Sequence, residues 1–229
     1  MALPNLNATP KYNLTVPSTG AELRYRPYLV REEKVLLMAS STEDTREIMG
    51  AVYDTISACV EGIDVNSLTT FDLEYIFIQL RAKSTGETSE ISVRCPSCRE
   101  PNRKIVPLNE IVCTKSNADP IIHISEEVTV EMKYPSYKDV PTGMDDAEMG
   151  LGLLAASIKS VIYNGERINA EDEPPEQIVE FLESMTQEQF QKITKFFDDA
   201  PVVKYDMPLT CKECGEETTI VIRGMNSFF

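Results

Sequence analysis

Polar and apolar positions alternate over residues 12–16 (Tyr-Asn-Leu-Thr-Val) and 22–28 (Glu-Leu-Arg-Tyr-Arg-Pro-Tyr), and Pro-Ser-Thr-Gly lies between them. That is the pattern of a β-hairpin. A helical period follows over 30–39, with Leu36 and Leu37 on its inner side. Ser41 and Thr42 are then placed to cap a second helix, with Glu43 and Asp44 in its first turn. Its apolar stripe is Ile48, Val52, Ile56 and Val60, and Gly62 ends it. Thr70 opens a third helix whose face carries Leu73, Ile76, Phe77 and Leu80, closed by Gly86. The helices at 30–39 and 71–82 are more apolar than their lengths need. Burial in a core is the ordinary reason, and a surface covered by a partner is the alternative.

Strand-like texture takes over at residue 89. Residues 89–94 alternate, Cys95-Pro-Ser-Cys98 turns the chain, and 104–106 runs back. Residues 121–124 and 128–134 read as further strands, the second with Val128, Val130 and Met132 on one side. Residues 145–159 form a Leu-rich helical pattern. In 161–168 the Asn164-Gly165 pair supplies the two positive-φ positions of a type I′ hairpin turn. An acidic connection at 170–175 leads to a helix containing Ile178, Phe181 and Leu182. Thr186-Gln-Glu-Gln189 is a capping box that opens a last helix carrying Phe190, Ile193, Phe196 and Phe197. The tail is again strand, Cys-x-x-Cys, strand. The chain therefore reads as α+β. A hairpin plus helical part occupies 1–87. A zinc-ribbon-like β part occupies 88–140 and 201–229. A helical insertion with the Asn-Gly hairpin occupies 141–200, between the two cysteine knuckles.

Cys95, Cys98, Cys211 and Cys214 form two Cys-x-x-Cys pairs separated by residues 99–210. Two residues between thiolates let both sulfurs of one tight turn face a common ion, and two such turns complete a tetrahedral sulfur site for Zn²⁺. Gly215, directly after Cys214, frees the backbone to take positive φ and turn N–H groups toward the sulfurs. A redox pair would lie at a helix N-terminus, but Pro101 follows one pair and a glycine with a β-branched run follows the other. Unliganded thiols are the third alternative. One structural Zn²⁺, held by four thiolates and closed to substrate, is the favoured reading. Cys59 and Cys113 lack partners at metal spacing, and Cys59 is expected in the core. His123, among isoleucines, is expected to be a packed structural residue.

The 229 residues carry 22 Lys and Arg against 37 Asp and Glu, a net charge of −15. That disfavours nucleic acid and anionic membrane as partners. The basic cluster Arg94, Arg99, Arg103 and Lys104 on the first knuckle is not continued on the second, where Lys212 sits among Glu213, Glu216 and Glu217. With one His and no Trp, Ser-His and Cys-His chemistry has only His123 to use. There is no phosphate-binding glycine loop and no Gly-x-Ser-x-Gly elbow. Neither an enzyme nor a small-molecule substrate is expected. The start of the chain has neither the basic opening nor the apolar run of a signal peptide, and no apolar stretch is long enough to span a bilayer. A cytosolic location and thiol rather than disulfide cysteines are expected. Phe228 and Phe229 either pack on this chain or fill a neighbour's groove.

Three stretches carry a family likeness. They are 1–37, with Met-Ala-Leu-Pro-Asn-Leu, the hairpin and Leu-Val-Arg-Glu-Glu-Lys-Val-Leu-Leu; Phe71-Asp-Leu-Glu-Tyr-Ile-Phe-Ile-Gln-Leu-Arg-Ala-Lys-Ser84 running through Gly86-Glu87 to the Cys95–Cys98 knuckle; and the Cys211–Cys214 knuckle. In these the sequence resembles the baseplate hub subunit and assembly protein family of T4-type contractile-tail bacteriophages. The resemblance implies a non-enzymatic role in building the baseplate hub in the host cytoplasm, with other hub and tail proteins as partners. It fits a component of the virion tail baseplate, and equally a transient assembly chaperone absent from the virion. A zinc-ribbon regulator that binds nucleic acid is the remaining alternative.

Overall fold

The computed structural model describes residues 9–42, 44–139 and 146–224. The opening residues 1–6, Glu43, the predicted helix start at Asp145, and Phe228 and Phe229 lie outside the described residues. The protein is α+β, as the pattern predicts, and its chain divides into two compact units, 1–114 with 202–229 and 115–201.

In the first unit, β1 (Tyr12–Thr15) and β2 (Glu22–Tyr25) pair antiparallel, Tyr12 opposite Tyr25. Three helices follow: α1 (Val30–Ser40), α2 (Thr45–Cys59) and α3 (Thr70–Ser84). The cap of α2 is Asp44, whose carboxylate accepts the Arg46 N–H at 2.8 Å, rather than Ser41 or Thr42. Those two hydroxyls instead donate to the Met38 and Ala39 carbonyls and close α1. The stripe of α2 also stops early. Val60 leaves the helix in extended conformation and bridges Tyr25, flanked by Arg26 N–H to Cys59 O and Glu61 N–H to Arg24 O. A tertiary strand pairing thus takes the residue that the four-residue spacing assigned to the helix.

The predicted face of α3 is buried, and so are Phe71, Ile78 and Ala82 off that face. A helix apolar on all sides belongs inside, and α3 packs against α2, the helical turn Leu108–Glu110 and the strands Val112–Cys113 and Val203–Thr210. Its start is fixed by a capping box between Thr69 and Asp72. The other oxygen of Asp72 accepts the Ser18 N–H at 2.9 Å and ties the hairpin turn to the helix. The first knuckle sits at the tip of the hairpin β3 (Thr88–Arg94) and β4 (Pro101–Pro107), in register from Thr88↔Pro107 to Arg94↔Pro101. A short β5 (Val112–Cys113) follows.

The second unit is one antiparallel sheet with helices on one face. Its strands are β6 (Ile121–His123), β7 (Val128–Met132), β8 (Ile158–Tyr163) and β9 (Glu166–Asn169), in that spatial order. The strands at 121–132 therefore pair with 158–169, not with the knuckle hairpins. Val130, Met132, Ile158 and Val161 pack with Ile178 and Leu182 of α5 (Pro175–Glu183) and with Ile193 and Phe196 of α6 (Gln187–Asp198). The helix α4 (Asp146–Ala156) ends three residues before the predicted Lys159, because Ile158 and Ser160 are taken into the ladder opposite Met132 and Glu131. Asn164 (φ 50°) and Gly165 (φ 83°) make the left-handed pair the hairpin needs. His123 is exposed, not packed. Ile122 and Ile124 point to the core, so strand alternation turns His123 outward to Thr129 Oγ1 at 2.9 Å.

The chain then returns to the first unit as β10 (Val203–Thr210) and β11 (Glu217–Arg223), a second knuckle hairpin in a sheet of order β11-β10-β5. Among the described residues no helix is long and apolar enough to cross a membrane.

Candidate metal centre

Both knuckles are built alike, residue for residue. In each, the second cysteine is followed by a left-handed residue, Arg99 (φ 63°) in the first and Gly215 (φ 72°) in the second. In each, the N–H of that residue donates to the carbonyl of the first cysteine, Arg99 to Cys95 at 2.9 Å and Gly215 to Cys211 at 3.1 Å. The first cysteine's own N–H donates two residues past the second, Cys95 to Glu100 O at 3.0 Å and Cys211 to Glu216 O at 2.9 Å. The turn lies between the strand ends Arg94↔Pro101 in one hairpin and Thr210↔Glu217 in the other. Gly215 adopts the conformation its sequence position suggests. Arg99 adopts the same one with a side chain in place, at the steric cost that L-residues bear there.

The fold brings all four cysteines of the two pairs together. Their sulfurs lie within 4.8 Å of one another, with Cys95 Sγ 3.7 Å from Cys214 Sγ and Cys98 Sγ 3.6 Å from Cys211 Sγ. A tetrahedral ion with metal–sulfur bonds of ~2.3 Å needs sulfur–sulfur edges of ~3.8 Å. Those two edges match such an ion, and four sulfurs drawn this near one another are a donor set that suits it. Cys95 and Cys211 are buried, while Cys98 and Cys214 face solvent. Neither pair opens a helix; each leads straight into a strand, so the dipole that activates a redox thiol is missing at both. All six cysteines are free thiols in the fold.

The local electrostatics differ sharply within the cluster. The N–H groups of Cys214 and Glu213 draw the Cys211 thiol down to about 6. At Cys98 the Glu100 N–H also pulls downward, but desolvation and the three neighbouring sulfurs together outweigh it and lift the thiol to about 12. A divalent cation among the four would relieve that crowding of negative charge. Outside the cluster, Cys59 and Cys113 are pushed up to about 11, chiefly by burial, which keeps them protonated. Cys59 is in the core, as its sequence position predicts.

One contributor has no sequence signature. Asn102, buried on β4, donates from Nδ2 to the Glu100 carbonyl at 2.9 Å and lies 3.6 Å from Cys211 Sγ. Its Oδ1 accepts the Lys212 N–H at 3.2 Å. The side chain therefore spans from the first hairpin to the second. Aligning the two knuckles finds the Arg99–Gly215 correspondence but not this role, because Thr218 occupies the matching place. Of the basic residues of the first knuckle, Arg103 pairs with Glu90 at 3.5 Å, and on the second knuckle exposed glutamates flank Lys212.

The family model described as T4 bacteriophage base plate protein matches residues 9–229, nearly the whole chain. No curated protein and no solved structure matches.

Proposed function

Because the chain belongs to the T4 bacteriophage base plate protein family, we propose that it is a non-catalytic structural or assembly component of the baseplate hub. It binds other hub and tail proteins, and a single structural Zn²⁺ held by Cys95, Cys98, Cys211 and Cys214 staples it. The family match over 9–229 carries the role, and the mutual approach of the four sulfurs supports the zinc.

The first knuckle lies in the middle of the chain and the second near its C-terminal end, with the whole second unit between them. A Cys₄ zinc-ribbon-like site ties those segments into one body and leaves no open coordination position for water or substrate. Zinc binding in small peptides is worth on the order of 10–16 kcal/mol, as much as the ~5–15 kcal/mol that holds a whole domain folded. Metal loading in the host cytoplasm would therefore gate folding and entry into assembly.

Mass spectrometry of purified tails and of baseplate intermediates from infected cells tests the role. Presence of the chain in both makes it a hub component of the virion. Presence in intermediates alone makes it an assembly chaperone. Absence from both contradicts the proposal.

A further inference from the structure

Of the ten large apolar side chains exposed among the described residues, four belong to α1: Val30 (79% exposed), Val35 (48%), Leu37 (66%) and Met38 (61%). None of the residues of α1 is buried. At 100° per residue, Val30, Arg31, Lys34, Val35, Leu37 and Met38 share the outer side of this helix. Its inner side is anchored: Glu32 accepts from the Leu29 N–H at 2.7 Å and from Arg26 at 3.1 Å, and the helix packs on α2. Leu37, expected inside from the sequence, is thus turned outward by the anchoring of Glu32. A fixed helix with an uncovered apolar face is one side of a helix–helix contact.

The charges on that face choose its occupant. Lys34, at the centre of the outer side, makes no hydrogen bond or ion pair among the described residues. Arg31 holds only its neighbour Glu32, with most of its guanidinium in solvent. These two cations stand out in a chain of net charge −15. A second copy laid across a two-fold axis here would set Lys34 against Lys34, which like-charge repulsion opposes. An anionic membrane would gain only these two cations against the field of the whole chain. We infer that the outer face of α1 docks an acidic amphipathic helix of another baseplate protein, with apolar residues at i, i+3 and i+4 and Asp or Glu opposite Lys34 and Arg31. At ~1.5 Å per residue, α1 offers a line about 16 Å long, three turns of such a partner. This rests on the baseplate role proposed above.

A photoreactive benzophenone amino acid in place of the exposed Leu37 tests the contact in infected cells, and the purified variant should match wild type by circular dichroism. Irradiated baseplate intermediates and tails are purified and the cross-linked peptides sequenced. The expected product is a peptide from a different baseplate protein, with Asp and Glu outnumbering Lys and Arg and apolar residues at helical spacing. Lys34→Glu should cut its yield about tenfold or more, and Lys34→Arg should preserve it. Cross-links to a second copy, to lipid or to this chain's own residues overturn the inference. So does a lack of cross-links while the chain still co-purifies with baseplate proteins. If the chain is absent from every baseplate species, the role itself fails and the inference with it.

Discussion

Asn102, on the first knuckle hairpin, lies 3.6 Å from the sulfur of Cys211 on the second. The side-chain Oδ1 of Asn102 meanwhile accepts the N–H of the residue after Cys211, Lys212. The pair fixes the orientation of one sulfur from the opposite hairpin, the kind of outer hydrogen bond that tunes a metal ligand. Asn102→Ala is expected to weaken zinc binding by roughly 10–100-fold, read by competition with a chelating dye. Thr218→Ala, at the matching place of the other knuckle, should leave it nearly unchanged. Equal effects from both would remove Asn102 from the account.

The two knuckles share one backbone and differ in who bears its strain. Gly215 sits at φ 72° with open space where a Cβ would go, so Gly215→Ala costs only the left-handed conformation, about 1 kcal/mol. Arg99→Gly relieves the same strain and gives back part of it in unfolded-chain entropy, for a gain of roughly 0–1 kcal/mol. Thermal unfolding of the zinc-loaded protein should move in opposite directions for the two variants.

Much of this site was legible because the chemistry is local. Cys-x-x-Cys spacing, the Asn164-Gly165 turn and the capping box at Thr186 each act within a few residues, and the structure has each of these local features. What escaped depends on partners distant in sequence. Val60 reads as helix until Tyr25 claims it as strand. Ile158 and Ser160 read as the end of a helix until β7 pairs with them. His123 reads as core because its neighbours are isoleucines, although period-two alternation puts it on the opposite side. For α1 the pattern supplies an apolar face and stays silent on what covers it, since core and interface use the same side chains.

Asp72 is a buried carboxylate that accepts the Ser18 N–H, the Thr69 N–H and the Thr69 hydroxyl. Asp72→Ala removes all three of those hydrogen bonds, roughly 1 kcal/mol each, and is expected to cost about 3 kcal/mol. A chain of this size then loses roughly 6–12 °C in Tm. Differential scanning calorimetry of the zinc-loaded protein measures it; a shift below ~2 °C would contradict the tie between hairpin and α3.

Lys159, Arg167 and Ser160 donate to Glu131 at 2.7, 2.5 and 3.0 Å and hold its carboxyl down to about 2. A carboxyl that ionises more easily folded than unfolded contributes stability above its unfolded value of ~4.3 and loses it as the pH falls through 4 toward 2. Because Lys159 and Arg167 are about half exposed, solvent screening keeps that contribution small. Wild type should exceed Glu131→Gln in stability at pH 7, with the gap closing by pH 2. A gap independent of pH would refute the ion-pair account.

The metal content of protein expressed without added zinc, measured by plasma mass spectrometry beside its thermal unfolding, bears most directly on the staple. One zinc per chain is expected, lost in Cys95→Ser and Cys211→Ser and kept in Cys59→Ser and Cys113→Ser. With free zinc a thousandfold above the dissociation constant, the ion adds about 4 kcal/mol, so a chelator should lower Tm by roughly 8–16 °C. A chain that carries no stoichiometric metal and melts at the same temperature with and without chelator would contradict it.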